Sequence, residues 1–121
     1  MYCVERQIIF YKTISGKSPV EEFLDSLPGK VAQKIAWVLS IIEEFDIIPT
    51  KYFKKLENTA GIYECRIDFG GNTYRLLGFF HLGSFVVLTN GFMKKTQKTP
   101  KEEIELSERR KRDFLDRGGL L

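Results

Sequence analysis

Between Tyr63 and Phe69 the side chains alternate: Tyr63, Cys65, Ile67 and Phe69 are apolar or aromatic, while Glu64, Arg66 and Asp68 carry charge. A period of two marks a strand with one face buried. Gly70-Gly71-Asn72 follows at once, a tight reversal of the kind two paired antiparallel strands require. Thr73 to His81 then reads as the returning strand and Leu82-Gly83-Ser84 as a second turn. Phe85 to Phe92 is a third strand, nearly all apolar, which predicts a central position covered on both faces over part of its length. A chain holding this meander has to build around an antiparallel sheet.

The flanking segments supply helices. Glu5 to Thr13 reads as a first strand centred on Ile8-Ile9-Phe10-Tyr11. Ser18-Pro19-Val20-Glu21 is a capping box, with Pro19 suited to the first helical position, and predicts a short helix to about Ser26. After Pro28-Gly29 a longer helix is expected over about 30–45, with Val31, Ile35, Val38, Leu39, Ile42 and Phe45 as its core-facing stripe. Trp37 and Ile41 widen that stripe towards the core or towards a partner. Tyr52 to Glu57 is a short charged strand or arm. Thr99-Pro100-Lys101-Glu102 forms a second capping box, opening a helix to about Leu115. Only Ile104, Leu106, Phe114 and Leu115 could dock that helix, so loose attachment, or completion by another chain, is expected.

The order is one strand, two helices, about four strands in a meander and a terminal helix. It predicts an α+β fold: an antiparallel-rich twisted sheet of four to five strands, an N-terminal helix pair on one face, and a C-terminal helix. Helices gathered against one face are the natural packing. With 121 residues the chain suits a single domain over 1–117, followed by a flexible tail at 118–121.

No apolar run approaches the roughly 20 residues of a membrane helix, and the first residues lack the features of a signal peptide. A cytoplasmic protein with no membrane association is therefore expected. Cys3 and Cys65 lie far apart without metal-ligand spacing and read as buried reduced thiols. His81 is the one histidine, has no ligand partners at suitable spacing, and reads as structural; neither a metal nor a cofactor is expected.

The net charge of +3 is unevenly spread. Residues 51–101 hold nine basic and three acidic side chains, a net +6, against −3 for the remainder. Positive charge thus concentrates on the predicted sheet, which favours an anionic partner such as nucleic acid. Lys94, Lys95, Lys98 and Lys101 crowd the turn after the last strand. Arg66 lies on the opposite parity from Cys65 and Ile67, so it faces away from the helix pair, and Arg75 in the returning strand can reach the same face. Alternatively, Arg66 pairs with Glu64 or Asp68 in a surface contact of well under about 1 kcal/mol.

These residues carry a resemblance. Tyr63-Glu64-Cys65-Arg66-Ile67-Asp68, then Tyr74-Arg75-Leu76, then Asn90-Gly91-Phe92-Met93-Lys94-Lys95-Thr96-Gln97-Lys98-Thr99-Pro100 resembles the RelE/HigB/ParE superfamily of type II toxins, most closely its phage-derived HigB-like branch. The resemblance covers about residues 5–115 and agrees with the predicted element order. It implies a toxin that cuts mRNA on the ribosome without a metal: the RNA's 2′-hydroxyl attacks the adjacent phosphate, leaving a 2′,3′-cyclic phosphate and a 5′-hydroxyl. Arg75 matches the strand arginine that meets the scissile phosphate, Arg66 the position of a lysine in some relatives, and Lys94 or Lys95 the cation after the last strand. Lys54, Lys55, Tyr74 and Lys98 are the flanking residues expected to touch RNA. The resemblance also implies a cognate antitoxin, a helix-turn-helix protein forming a toxin–antitoxin hetero-oligomer, docked on the exposed stripe of the long helix or on the charged last helix. The terminal helix lacks the tyrosine or histidine that some relatives use for proton transfer. A lysine base would need its pKa lowered by burial or by cationic neighbours; Glu64 is the alternative base. Two other functions fit the same fold: a ParE-like inhibitor of DNA gyrase, and a non-catalytic module binding RNA or antitoxin.

Overall fold

Five strands in the order β1-β5-β4-β3-β2 make one mixed sheet in the computed structural model, which describes residues 5–119. The strands are β1 (Gln7–Phe10), β2 (Phe53–Lys55), β3 (Tyr63–Phe69), β4 (Asn72–His81) and β5 (Phe85–Lys94), and the helices are α1 (Pro19–Asp25), α2 (Gly29–Glu44) and α3 (Lys101–Asp116). β1 runs parallel to β5 and the other pairings are antiparallel. The α+β architecture and the element order are those expected. Cys3 and the tail residues Leu120 and Leu121 lie outside the described residues. Among the described residues, no helix is long and apolar enough to cross a membrane.

Local chemistry explains the joints. Phe69 pairs with Asn72 across Gly70 and Gly71, whose φ values of 60° and 81° are what a two-residue hairpin turn matched to strand twist demands. Ser18 caps α1 by accepting from the Glu21 amide at 3.3 Å, with Pro19 beginning the helix. Arg6 donates to the Ile42 carbonyl at 3.1 Å and to the Phe45 and Asp46 carbonyls, satisfying the C-terminal end of α2.

The helix pair α1–α2 covers one face. Val20, Val31, Ile35, Val38, Leu39 and Ile42 pack there on Cys65, Ile67, Tyr74, Leu76, Val86 and Leu88. Of the two residues that widened the α2 stripe, Ile41 is buried whereas Trp37 is 51% exposed. Phe45, expected in the stripe, is also half exposed because the helix ends before it. Cys65 is a free buried thiol, pushed up to about 12 by burial, with the neighbouring Glu64 charge adding to the effect.

The terminal helix departs from expectation, for α3 packs on the opposite face. Phe114 meets Phe79 at 5.6 Å in a small cluster with Tyr11 and Val87. Polar contacts supplement this modest apolar area. Ser107 Oγ and Thr89 Oγ1 lie 2.6 Å apart, Arg110 donates to the Thr89 carbonyl, Tyr11 donates to Asp113, and Lys111 donates to the Ala60 carbonyl. The helix is therefore held by one buried hydroxyl pair and by polar contacts nearer the surface rather than loosely. Beyond it, the Gly118 and Gly119 amides, both at positive φ, bond back to the Leu115 and Phe114 carbonyls.

One irregularity sets which side chains the far face carries. Between β4 and β5 the register passes from Leu77↔Asn90 to Gly78↔Leu88, leaving Thr89 as an extra residue. The bulge exchanges the two sides of β5. Before it, even-numbered Val86 and Leu88 face α1 and α2; after it, Gly91 and Met93 take that side, and Asn90, Phe92 and Lys94 turn to the α3 side. Gly91 is required there, since a Cβ would lie 2.4 Å from the Phe23 ring.

Candidate functional site

On the α3 side, the pairings lay three rows across the sheet. The first is Lys54, Glu64, Leu77 and Asn90; the second is Arg66, Arg75 and Phe92; the third is Asp68, Thr73 and Lys94. α3 begins level with the first row, where Asn90 donates to Glu103 at 2.9 Å. The second and third rows lie beyond its start and remain open.

A buried carboxylate organises the opening. Glu64, 3% exposed, has Arg75 Nε at 3.3 Å and Lys94 Nζ at 3.7 Å, both side chains themselves almost fully buried. Thr99 Oγ1 donates to the same Glu64 oxygen at 2.7 Å. The Thr99-Pro100-Lys101-Glu102 motif is thus not a cap: α3 starts from Pro100 with no side-chain cap, and the threonine instead ties the lysine-rich loop to Glu64. Arg66 stands nearer the surface, its Nε 3.0 Å from Asp68, whose other oxygen accepts from Thr73 at 2.8 Å.

Charge at the site is unbalanced, since Lys54, Arg66, Arg75 and Lys94 outnumber Glu64 and Asp68. Burial lowers the Lys94 pKa; Glu64 opposes this, while Arg75, Arg66 and Lys54 push it further down. Burial likewise lowers Arg75, against the pull of Glu64. For Asp68, slight burial raises the pKa, but hydrogen bonds from Thr73 and Arg66 prevail and the net shift is downward. Arg75 Nε, despite its closeness to Glu64, lacks the angle for a hydrogen bond and is the one buried side-chain polar atom without a partner among the described residues.

Two adjoining cavities share Arg66, Arg75, Lys94 and Gln97 as their common wall. One, of about 340 Å³, extends towards Thr50, Lys51 and Lys54. The other, of about 640 Å³, extends towards Asn72, Lys95 and Thr96. A chain crossing the wall would meet fixed cations in the middle and polar rims on either side.

Of the residues singled out in the sequence, the structure brings together Arg66, Arg75, Lys94 and Lys54, with Lys95 at the rim of the larger cavity. Tyr74 is not available: it is 3% exposed in the core under the helix pair, on the opposite parity from Arg75. Lys55 pairs with Tyr63 and so points to the other side of β2 from Lys54. Lys98 lies in the loop and lines neither cavity. His81 is at the far end of β4, packed edge-on against Phe114 at 5.1 Å, as its structural reading requires. Sequence reasoning missed Lys51, Gln97 and Thr99 as parts of the site, and it weighed Glu64 only as a base. Thr99 carried a visible signal that pointed elsewhere; Lys51 and Gln97 carried none.

A comparison with curated proteins gives no match. Residues 22–112 match the family described as Phage derived protein Gp49-like (DUF891), and the chain therefore belongs to that family, a RelE-like family of toxins.

Proposed function

We propose that this chain is the toxin of a type II toxin–antitoxin system, of the HigB-like kind, and that it is an endoribonuclease cutting mRNA on the ribosome by 2′-hydroxyl attack. Membership of a RelE-like toxin family supports the toxin role and an antitoxin partner. The nuclease reading is supported by one observation: Arg75 and Lys94, held on the buried Glu64 carboxylate, share a cavity wall with Arg66. A phosphate entering at that wall would meet Arg66 from the open side, with the charges of Arg75 and Lys94 behind it. Guanidiniums suit this role because they bind phosphate oxygens in pairs and stay charged.

The step balances on the RNA's own atoms. The 2′-oxygen bonds to phosphorus, the bond from phosphorus to the 5′-oxygen breaks, and that oxygen takes a proton from solvent water, so the products are a 2′,3′-cyclic phosphate and a 5′-hydroxyl. Lys94 takes the 2′-hydroxyl proton, since its lowered pKa gives it a larger neutral fraction than an ordinary lysine has. Arg66 and Arg75 neutralise the charge that builds on the phosphorane oxygens. Glu64 positions Arg75 and Lys94 and keeps Thr99 at the rim.

Mapping primer-extension stops on mRNA after induced expression tests this reading. Codon-phased cuts are expected from the wild type and absent from Arg66→Ala and Arg75→Lys chains that still fold. Growth arrest with altered DNA supercoiling and no cuts would replace the nuclease with a gyrase inhibitor.

A further inference from the structure

We propose that Trp37 and Tyr52 form a base-stacking subsite for single-stranded RNA leaving the cation wall. The inference rests on the RNA reading of that wall and adds a recognition surface on a different element. The smaller cavity ends at Thr50 and Lys51, and the Lys51 ammonium sits over the Tyr52 ring at 4.8 Å. Tyr52 meets Trp37 of α2 at 5.8 Å with the rings perpendicular. Cation, tyrosine and tryptophan therefore continue the track in contact, one after another, around the short edge strand β2.

Three features favour a nucleobase as the occupant. First, the platform is fixed to the reacting end of the site: the Arg66 amide donates to the Tyr52 carbonyl at 2.8 Å. Second, Trp37 is half exposed although Ile41, one turn further along α2, is buried. Its neighbours one turn away on the helix are Gln33, Lys34, Ser40 and Ile41, with no carboxylate to repel a phosphate backbone. Third, a cationic groove that passes into aromatic side chains is the arrangement that holds single strands, because any base offers a π-face to stack. The subsite would therefore add affinity with little sequence preference, while the cation wall fixes the phosphate.

Trp37 is the only tryptophan in the sequence, so its emission reports on this subsite alone. The full-length protein is titrated into a 3′-fluorescein hexaribonucleotide with 2′-O-methyl sugars, which cannot be cut. Dye anisotropy is followed together with tryptophan emission. The expected result is binding accompanied by quenching of Trp37, with affinity about tenfold weaker in Trp37→Ala and largely kept in Trp37→Phe, at similar Tm. Anisotropy that titrates while emission stays flat would overturn the proposal, as would an unchanged affinity in Trp37→Ala or a wild type that fails to bind the oligonucleotide. Normal RNA affinity with lost antitoxin binding in Trp37→Ala would also overturn it, assigning the face to a protein. The emission measurement needs no variant, so a poorly folded Trp37→Ala does not remove the test. Failure here with primer-extension cuts intact leaves the nuclease standing; loss of the cuts as well removes both.

Discussion

The α3 side of the sheet has two halves built from the same strands and filled by opposite chemistry. In the closed half, Phe79 and Val87 lie under Phe114 and Tyr11, and the buried polar atoms of Thr89 and Ser107 are paired. In the open half, Arg75 and Lys94 hold Glu64, Arg66 pairs with Asp68, and two cavities open at the cations. The border is the bulge at Thr89, level with the start of α3. The closed half holds the shape in which the open half keeps its cations close, although their mutual repulsion disfavours it. Stability and reactivity should therefore be separable by substitutions on either side of that border.

The largest effect is expected from Lys94→Arg in the open half. Charge is kept but the proposed proton acceptor is lost, so cleavage should fall by about 10²- to 10⁴-fold with Tm little changed. In a ribosome-programmed cleavage assay, the wild-type rate should rise with pH as Lys94 deprotonates, at a pH below that of an ordinary lysine. The variant should lose that rise, and a retained rise would remove Lys94 from the role.

Phe114→Ala probes the closed half. Truncating this buried ring should cost about 3 kcal/mol of unfolding free energy in urea titrations. Below the midpoint, RNA affinity should be unaltered; a parallel loss of affinity would show that the halves are coupled.

Gly78→Ala strikes the border itself. The added Cβ would lie 2.3 Å from the Val87 carbonyl oxygen, a backbone atom that cannot swing aside. A loss of about 1–3 kcal/mol is expected, together with reduced cleavage, because Gly78 pairs at the bulge that sets the side of Lys94. Unchanged cleavage would mean that the bulge does not control the site.

The smallest effect belongs to Asp68→Asn at the exposed rim, well under about 1 kcal/mol. Its sign with pH is definite. The carboxyl is lowered in the folded state, so its contribution is complete above the ordinary carboxylate pKa and is lost as pH falls through the folded value. Tm followed into the acid range should fall less steeply in the variant than in the wild type.

Much of this was legible in the sequence. The alternation in β3 fixed Arg66 on the side away from the helix pair, and Gly70-Gly71 fixed the turn that sets Arg75 opposite it. The same alternation argued against Tyr74, which must face the core if Arg75 does not, and it separates Lys55 from Lys54; the family resemblance had drawn both into the site. Thr99 was misread because a hydroxyl before a helix usually caps it by accepting from a first-turn amide, whereas here it is turned to donate to the buried carboxylate of Glu64. The side taken by α3 was not legible, since only a few apolar residues mark its inner surface and polar pairs provide much of its attachment. Nothing in Thr89-Asn90 announces a bulge, because a strand with one residue too many differs from a regular strand only once its partner is known.

That extra residue acts as a phase slip. A regular β5 that kept Thr89 in the ladder would carry Lys94 to the helix-pair side, opposite Asn72, and would put Phe92 where Met93 now lies beside Tyr74. Loss of one codon between Asn90 and Lys94 would turn Lys94 away from the cavities with every side chain of the cation wall still encoded. Loss of Thr89 itself would instead leave Asn90 on Leu77 and Lys94 on Thr73. A host under selection to survive its own toxin has, in that short stretch, an in-frame route to silence that an inventory of charged residues would overlook.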